Sequence, residues 1–326
     1  MKTLDANARA RCRDRTFFLV FALLGSAAQA ATVARSPAGD ILIDASSVYP
    51  ESITSAADGT IFTGSIDGII YRAGPGESTA KAFIRPDVGN GLQAVFGVLA
   101  DDRSGLLWVC SVPNPFKGPA AQGAAPTALE VFDLKSGRFR GSWPFPAPGG
   151  VCNDIAVARD GAVYATDTPN GRLLKLSRDH KTLSVVAEAE ALKGIDGLAF
   201  AGDGQLYVNI VSHGELIRVD LSGGPGNAVL TRLKLTRPLA GPDGFRPLGG
   251  NRFLLAEGTG GRVDVVTIDW DVATIHVLRE GLNSSPGVTA VGKTAYAVEG
   301  KIAYLVDPKL RGQDPGAFKA IAIPLE

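Results

Sequence analysis

Polar and apolar positions alternate along most of this chain in short runs, and the runs recur as a phrase. A polar lead residue is followed by an apolar run, a turn built on Asp-Gly or paired glycines, and a second apolar run. The phrase is clearest at Glu51 with Asp58-Gly59, at Asn153 with Asp160-Gly161, at Asp196 with Asp203-Gly204, and at Asp243 with Gly249-Gly250-Asn251. Weaker copies begin at Gly97 and Gly287. Such runs predict β-hairpins, because glycine accepts the positive φ that a tight turn needs. A third apolar run follows, as at 69–72, 173–176 and 216–220, and then a more polar fourth.

The lead residues 51, 97, 153, 196, 243 and 287 stand 46, 56, 43, 47 and 44 residues apart. The long interval holds residues 113–127, rich in Pro, Ala and Gly, which reads as an inserted loop and a partial lid. Without it the period is close to that of a four-stranded propeller blade. The prediction is an all-β chain, a six-bladed β-propeller of four-stranded blades, forming one domain over residues 31–326. Residues 318–324 are expected to pair with a strand near residues 40–43, which would cover otherwise open sheet edges.

Composition agrees: glycine is frequent, at 40 of 326 residues, which suits many tight turns. Residues 1–30 read as a removable export leader. Lys2, Arg9, Arg11, Arg13 and Arg15 precede the apolar residues 17–24, and Ala28-Gln29-Ala30 fits a cleavage site. That apolar run falls short of the ~20 residues needed to span a bilayer. The mature chain is therefore expected to be periplasmic or secreted, with no membrane association. Without the leader it carries 28 basic and 31 acidic residues, a net charge of −3. This offers no basic stripe for nucleic acid and leaves a small molecule as the expected partner. Cys110 and Cys152 remain, and their pairing is left open.

In a propeller the first strand of each blade lines the channel, so the lead residues gather at one rim. Glu51, Asn153, Asp196 and Asp243 would then face one another. At ~5 Å and an effective dielectric of ~20, each ionised carboxylate pair repels by roughly 3 kcal/mol. Protons or a cation must relieve this. An all-oxygen set suits one divalent cation, calcium ahead of magnesium. Zinc would want His or Cys, and His180, His213 and His276 are dispersed. Alternatively, the acids cap backbone amides at the channel mouth. His213 follows the second strand of its repeat and is expected near the pocket as a substrate contact. The glycine leads would leave room for a ligand.

Pro50-Glu51-Ser52, Cys152-Asn153-Asp154, Gly194-Ile195-Asp196-Gly197-Leu198 and Pro242-Asp243-Gly244 resemble motifs of the gluconolactonase/regucalcin (senescence marker protein) family. The resemblance implies a six-bladed propeller with one divalent cation, held here by Glu51, Asp196 and Asp243. It implies that Asp243 is also the general base and that Asn153 contacts substrate. Asp196 stands where many members have asparagine. Val151 stands where many sugar-lactone hydrolases have arginine, which points away from gluconolactone. The function expected is hydrolysis of a lactone or related ester. Two alternatives are a non-catalytic binding propeller and a strictosidine-synthase-like bond-forming enzyme with Glu257 or Glu299 as base.

Overall fold

A computed structural model describes residues 39–118 and 125–325; the expected leader lies outside them. The described residues are built almost wholly from antiparallel β-sheets. Three sheets have four strands in simple sequence order. They run from Ala94–Asp101 to Phe139–Pro144, from Cys152–Val157 to Leu183–Glu188, and from Ile195–Phe200 to Val229–Arg232. A fourth starts at Pro242–Gly249 and ends at Val272–Arg279, with the two-residue strand Lys234–Leu235 added on its outer edge. The hairpins fall where the glycine turns predict them. Val163–Asp167 and Leu206–Ile210, for example, follow Asp160-Gly161 and Asp203-Gly204 directly.

Burial falls from the first strand of a sheet to the last. Cys152–Val157 is buried except at its final residue, whereas Phe139–Pro144 alternates half-buried with exposed. The core lies between sheets. Leu173 and Val186 of one sheet pack with Leu198, Val208 and Ile217 of the next, because each sheet is apolar on both faces and needs a neighbour on each side.

The remaining strands form one eight-stranded sheet. Pro50–Ser55 through Thr79–Ile84 is joined to Val288–Val291, Thr294–Val298 and Lys319–Pro324 by the short strand Ile41–Ile43. Ile41 pairs with Ala320 and Leu42 with Lys319, antiparallel, while Leu42 pairs with Thr79 in parallel. The two ends of the described chain therefore meet in one sheet, as the apolar pattern at 318–324 predicts.

The two glycine leads have a different reason from the one expected. A Cβ on Gly97 would lie 2.5 Å from the carbonyl oxygen of Asn153, and one on Gly287 would lie 3.0 Å from the Ile53 nitrogen. Glycine is needed there because the backbones of neighbouring innermost strands approach so closely, not to leave space for a ligand. A disulfide joins Cys110 to Cys152, linking the first strand of one sheet to the second strand of the sheet before it.

Candidate functional site

Each of the five innermost strands that begin at residues 50, 94, 152, 195 and 242 shifts register near its start. The breaks fall between Pro50 and Ser52, Val95 and Val98, Cys152 and Ile155, Ile195 and Leu198, and Pro242 and Phe245. A β-bulge leaves extra residues unpaired and re-aims their side chains. The residues inside these breaks include Glu51, Asn153, Asp154, Asp196 and Asp243. The repeated lead position is thus a repeated bulge, and it turns these polar groups toward one another.

Glu51 and Asp243 are half-buried and line a cavity of about 530 Å³. Asp196 is 4% exposed and lies outside that lining. Its Oδ2 accepts a hydrogen bond from Asn153 Nδ2 at 2.9 Å. The carboxyl of Glu51 is pushed well above its ordinary range by burial, then by Asp196 and Asp154. Asp243 is pushed up by burial, then by Asp196 and Glu51. Asp196 is pushed up by burial, then by Asp154.

Two members of this cluster were not singled out from the sequence. Asp154 directly follows Asn153, and Arg246 lies three residues beyond Asp243 in an otherwise apolar run. Arg246 Nη1 donates to Asp154 Oδ2 at 2.7 Å and Nη2 to Oδ1 at 2.8 Å. Both residues are buried. Arg246 also lines a second cavity with Ile155, Leu198 and Phe245. A charged residue inside an apolar strand was the available signal.

Arg246 hydrogen-bonds Asp154, and Glu51, Asp196 and Asp243 are left to repel neighbouring acids when ionised. Their oxygen chemistry fits a hard divalent cation. Among the described residues, however, no three Asp, Glu, His or Cys side chains already stand in a metal-ligating arrangement.

Asn153 is buried, and its amide donates to Thr168 Oγ1 at 3.1 Å as well as to Asp196; both bonds tie it to protein acceptors. His213 is exposed, with Nδ1 3.0 Å from Ser212 Oγ, and is not part of the cavity lining. Val151 packs with the apolar cluster around Cys152. Glu257 is buried between Arg237 and Arg262. Burial opposes its charge, but hydrogen bonds led by Arg262 hold it at about 2. Glu299 Oε1 accepts from the Asn283 amide at 2.9 Å.

Left-handed backbone occurs here too, as it does at Ser47, His180 and Trp270. Of the non-glycine residues with left-handed φ, Ser284 lines the cavity, Lys301 precedes the lining residue Ile302, and Tyr49 stands two residues before Glu51. Such conformations cost ~1–3 kcal/mol each and concentrate at functional sites.

A family model described as strictosidine synthase-like, N-terminal, matches residues 41–73. No curated protein matches the chain. Among solved structures, the chain is similar to the major allergen Mala s 1 of Malassezia sympodialis, with 15% identity, 87% of this chain and 95% of that chain covered, and a TM-score of 0.65. It is similar to a provisionally assigned gluconolactonase, with 18% identity, 90% and 96% covered, and a TM-score of 0.61. It is also similar to a regucalcin from Agrobacterium tumefaciens, described as calcium-binding, with 15% identity, 90% and 97% covered, and a TM-score of 0.60. At these identities the likeness shows the fold, a β-propeller, and the neighbours include the family that the sequence motifs resemble.

Proposed function

We propose that this chain is a six-bladed propeller acting as a divalent-cation-dependent hydrolase of a lactone or related ester. In this reading the eight-stranded sheet is two blades stitched together by Ile41–Ile43. The observation that carries the function is the meeting of Glu51 and Asp243 at one cavity with Asp196 buried nearby, each carboxyl raised by burial and by neighbouring acids. Carboxyls perturbed in this way beside a cleft mark a candidate functional site.

Glu51, Asp196 and Asp243 would hold the cation, which supplies polarisation of the ester carbonyl when bound. Asp243 lines the cavity and serves as general base, taking a proton from the attacking water and returning it to the leaving alkoxide. Asn153 orients Asp196 through its 2.9 Å hydrogen bond. The buried Arg246–Asp154 pair fixes the charge behind the acids. A small neutral molecule is the partner in this reading. The Cys110–Cys152 disulfide supports an oxidising compartment outside the cytoplasm.

The match over residues 41–73 contains Glu51 and supports a second reading, a strictosidine-synthase-like bond-forming enzyme. Glu51 rather than Glu257 would then be the base. A panel of lactones and aryl esters, assayed with chelator and after calcium is restored, separates the two. The hydrolase should lose turnover on chelation and regain it with calcium. Full turnover after chelation removes the cation's role, and no turnover across the panel removes the hydrolase.

A further inference from the structure

The walls of the cavity beside Glu51 and Asp243 are as informative as its acids. Phe96, Phe116, Ile66, Ile302 and Val306 contribute apolar surface around those two carboxyl groups. Phe116 is carried by the short 3-10 helix Pro115–Lys117, and Val306 ends the short helix Ala303–Val306. Phe116 is 37% exposed and Val306 53% exposed. Large apolar side chains are rarely left in water without reason when they gather at one opening. Here two of them, on separate helices, meet at one cavity.

The lining contains no Lys, Arg or His among the described residues. The cations nearby are occupied elsewhere. Lys117 stands 3.5 Å from Asp67, and Lys301 Nζ donates to the carbonyls of Pro315 and Ala317 at 2.7 and 2.8 Å. A substrate carrying phosphate or carboxylate would meet two acids and no compensating charge. Thr259, Asn283 and Ser284 add polar groups to the lining, but a sugar lactone, with a hydroxyl on nearly every carbon, would still lose hydrogen bonds to water against the aromatic and aliphatic side chains.

We infer that the cavity takes an uncharged ring ester bearing a hydrocarbon chain, with the ring over Glu51 and Asp243 and the chain against Phe116 and Val306. This rests on the hydrolase reading above. A volume of about 530 Å³ lies within the usual range for such ligands and accommodates a chain of roughly eight carbons beside the ring. In the reaction, water oxygen bonds to the carbonyl carbon and the ring acyl–oxygen bond breaks. One water proton goes to the leaving alkoxide, giving the alcohol; the other leaves as the new acid ionises. The product then carries a carboxylate beside Glu51 and Asp243, and their repulsion favours its release.

The test is a series of δ-lactones with alkyl chains of increasing length, compared with glucono-δ-lactone on the full chain with calcium. kcat/KM should rise roughly fourfold per added methylene until the cavity is filled, and gluconolactone should be the poorest. Phe116→Asp and Val306→Asp should each cut the long-chain lactone at least tenfold more than the short one. Val229→Asp, which adds the same charge at an exposed apolar residue outside the cavity, should change neither. Turnover that is independent of chain length, or that favours gluconolactone, overturns the inference while leaving the hydrolase intact. Calorimetric binding of 2-alkylcyclohexanones, which lack an ester, reads the chain site separately. Chain-length-dependent binding without turnover of any lactone supports the apolar site and sinks the hydrolase. No binding of any of them overturns the inference.

Discussion

Asp243 and Arg246 stand three residues apart on one strand and resolve buried charge in opposite ways. Arg246 is matched by Asp154 through two hydrogen bonds, whereas Asp243 faces other acids. A residue retained in an unfavourable setting trades stability for function. Asp243→Asn should therefore lower kcat by about 10²–10⁴-fold, yet raise the melting temperature of the cation-free protein at neutral pH. A melting scan beside a lactone assay checks both. Glu130 offers a separate test of buried charge. It is 3% exposed and Oε2 has no hydrogen-bond partner among the described residues. Burial pushes its carboxyl up to about 7, against the Ser111 hydrogen bond that lowers it. The folded chain thus holds a proton that the unfolded chain releases near the ordinary value of 4.5. Its contribution to stability is full below that value and is lost as pH rises toward 7, flattening above. The loss is at most roughly 3 kcal/mol. Glu130→Gln should remove that slope and melt higher than the parent at pH 8.

The recurring element is a hairpin whose first strand bulges at its start. The bulge places the polar lead residue, and glycine beside it lets the next innermost strand approach. Gly97→Ala would set a Cβ 2.5 Å from the Asn153 carbonyl oxygen, with backbone on both sides. A cost of about 1–3 kcal/mol is expected, together with weaker calcium binding, because the strand that must shift carries Asn153 and Asp154. Gly149→Ala, where an added Cβ meets nothing within 4 Å, should be nearly neutral. Denaturant midpoints and calcium titrations on the two variants decide this. At this scale the sequence was legible: the hairpins lie where Asp-Gly turns and alternating runs put them. The bulges were not legible, because a bulge is a mismatch between two strands and neither strand carries it alone.

Across the molecule, two long-range connections hold the arrangement. Ile41–Ile43 pairs with Lys319–Pro324, and the Cys110–Cys152 disulfide spans 42 residues. Closing a loop of that length restricts the unfolded chain by about 4 kcal/mol in the chain-entropy account. Replacing both cysteines by serine should lower the melting temperature while leaving lactone turnover measurable at low temperature, since neither sulfur lines the cavity. A loss of turnover matching the loss of folded protein is the expected outcome. Turnover lost with the fold intact would mean that the bridge holds the site itself.

The sequence by itself determined the repeat, its hairpins, the all-β class, and the lead acids Glu51, Asp196 and Asp243, because alternation, glycine turns and periodic spacing are local properties of a chain. Only the tertiary structure decided which charges meet. Asp154 and Arg246 are 92 residues apart, and nothing local marks them as partners. The same holds for the hydrogen bond from Asn153 to Asp196, for the disulfide, and for Phe116 and Val306 at one opening. Each is a fact about distance between remote segments, and distance is set by how the sheets pack.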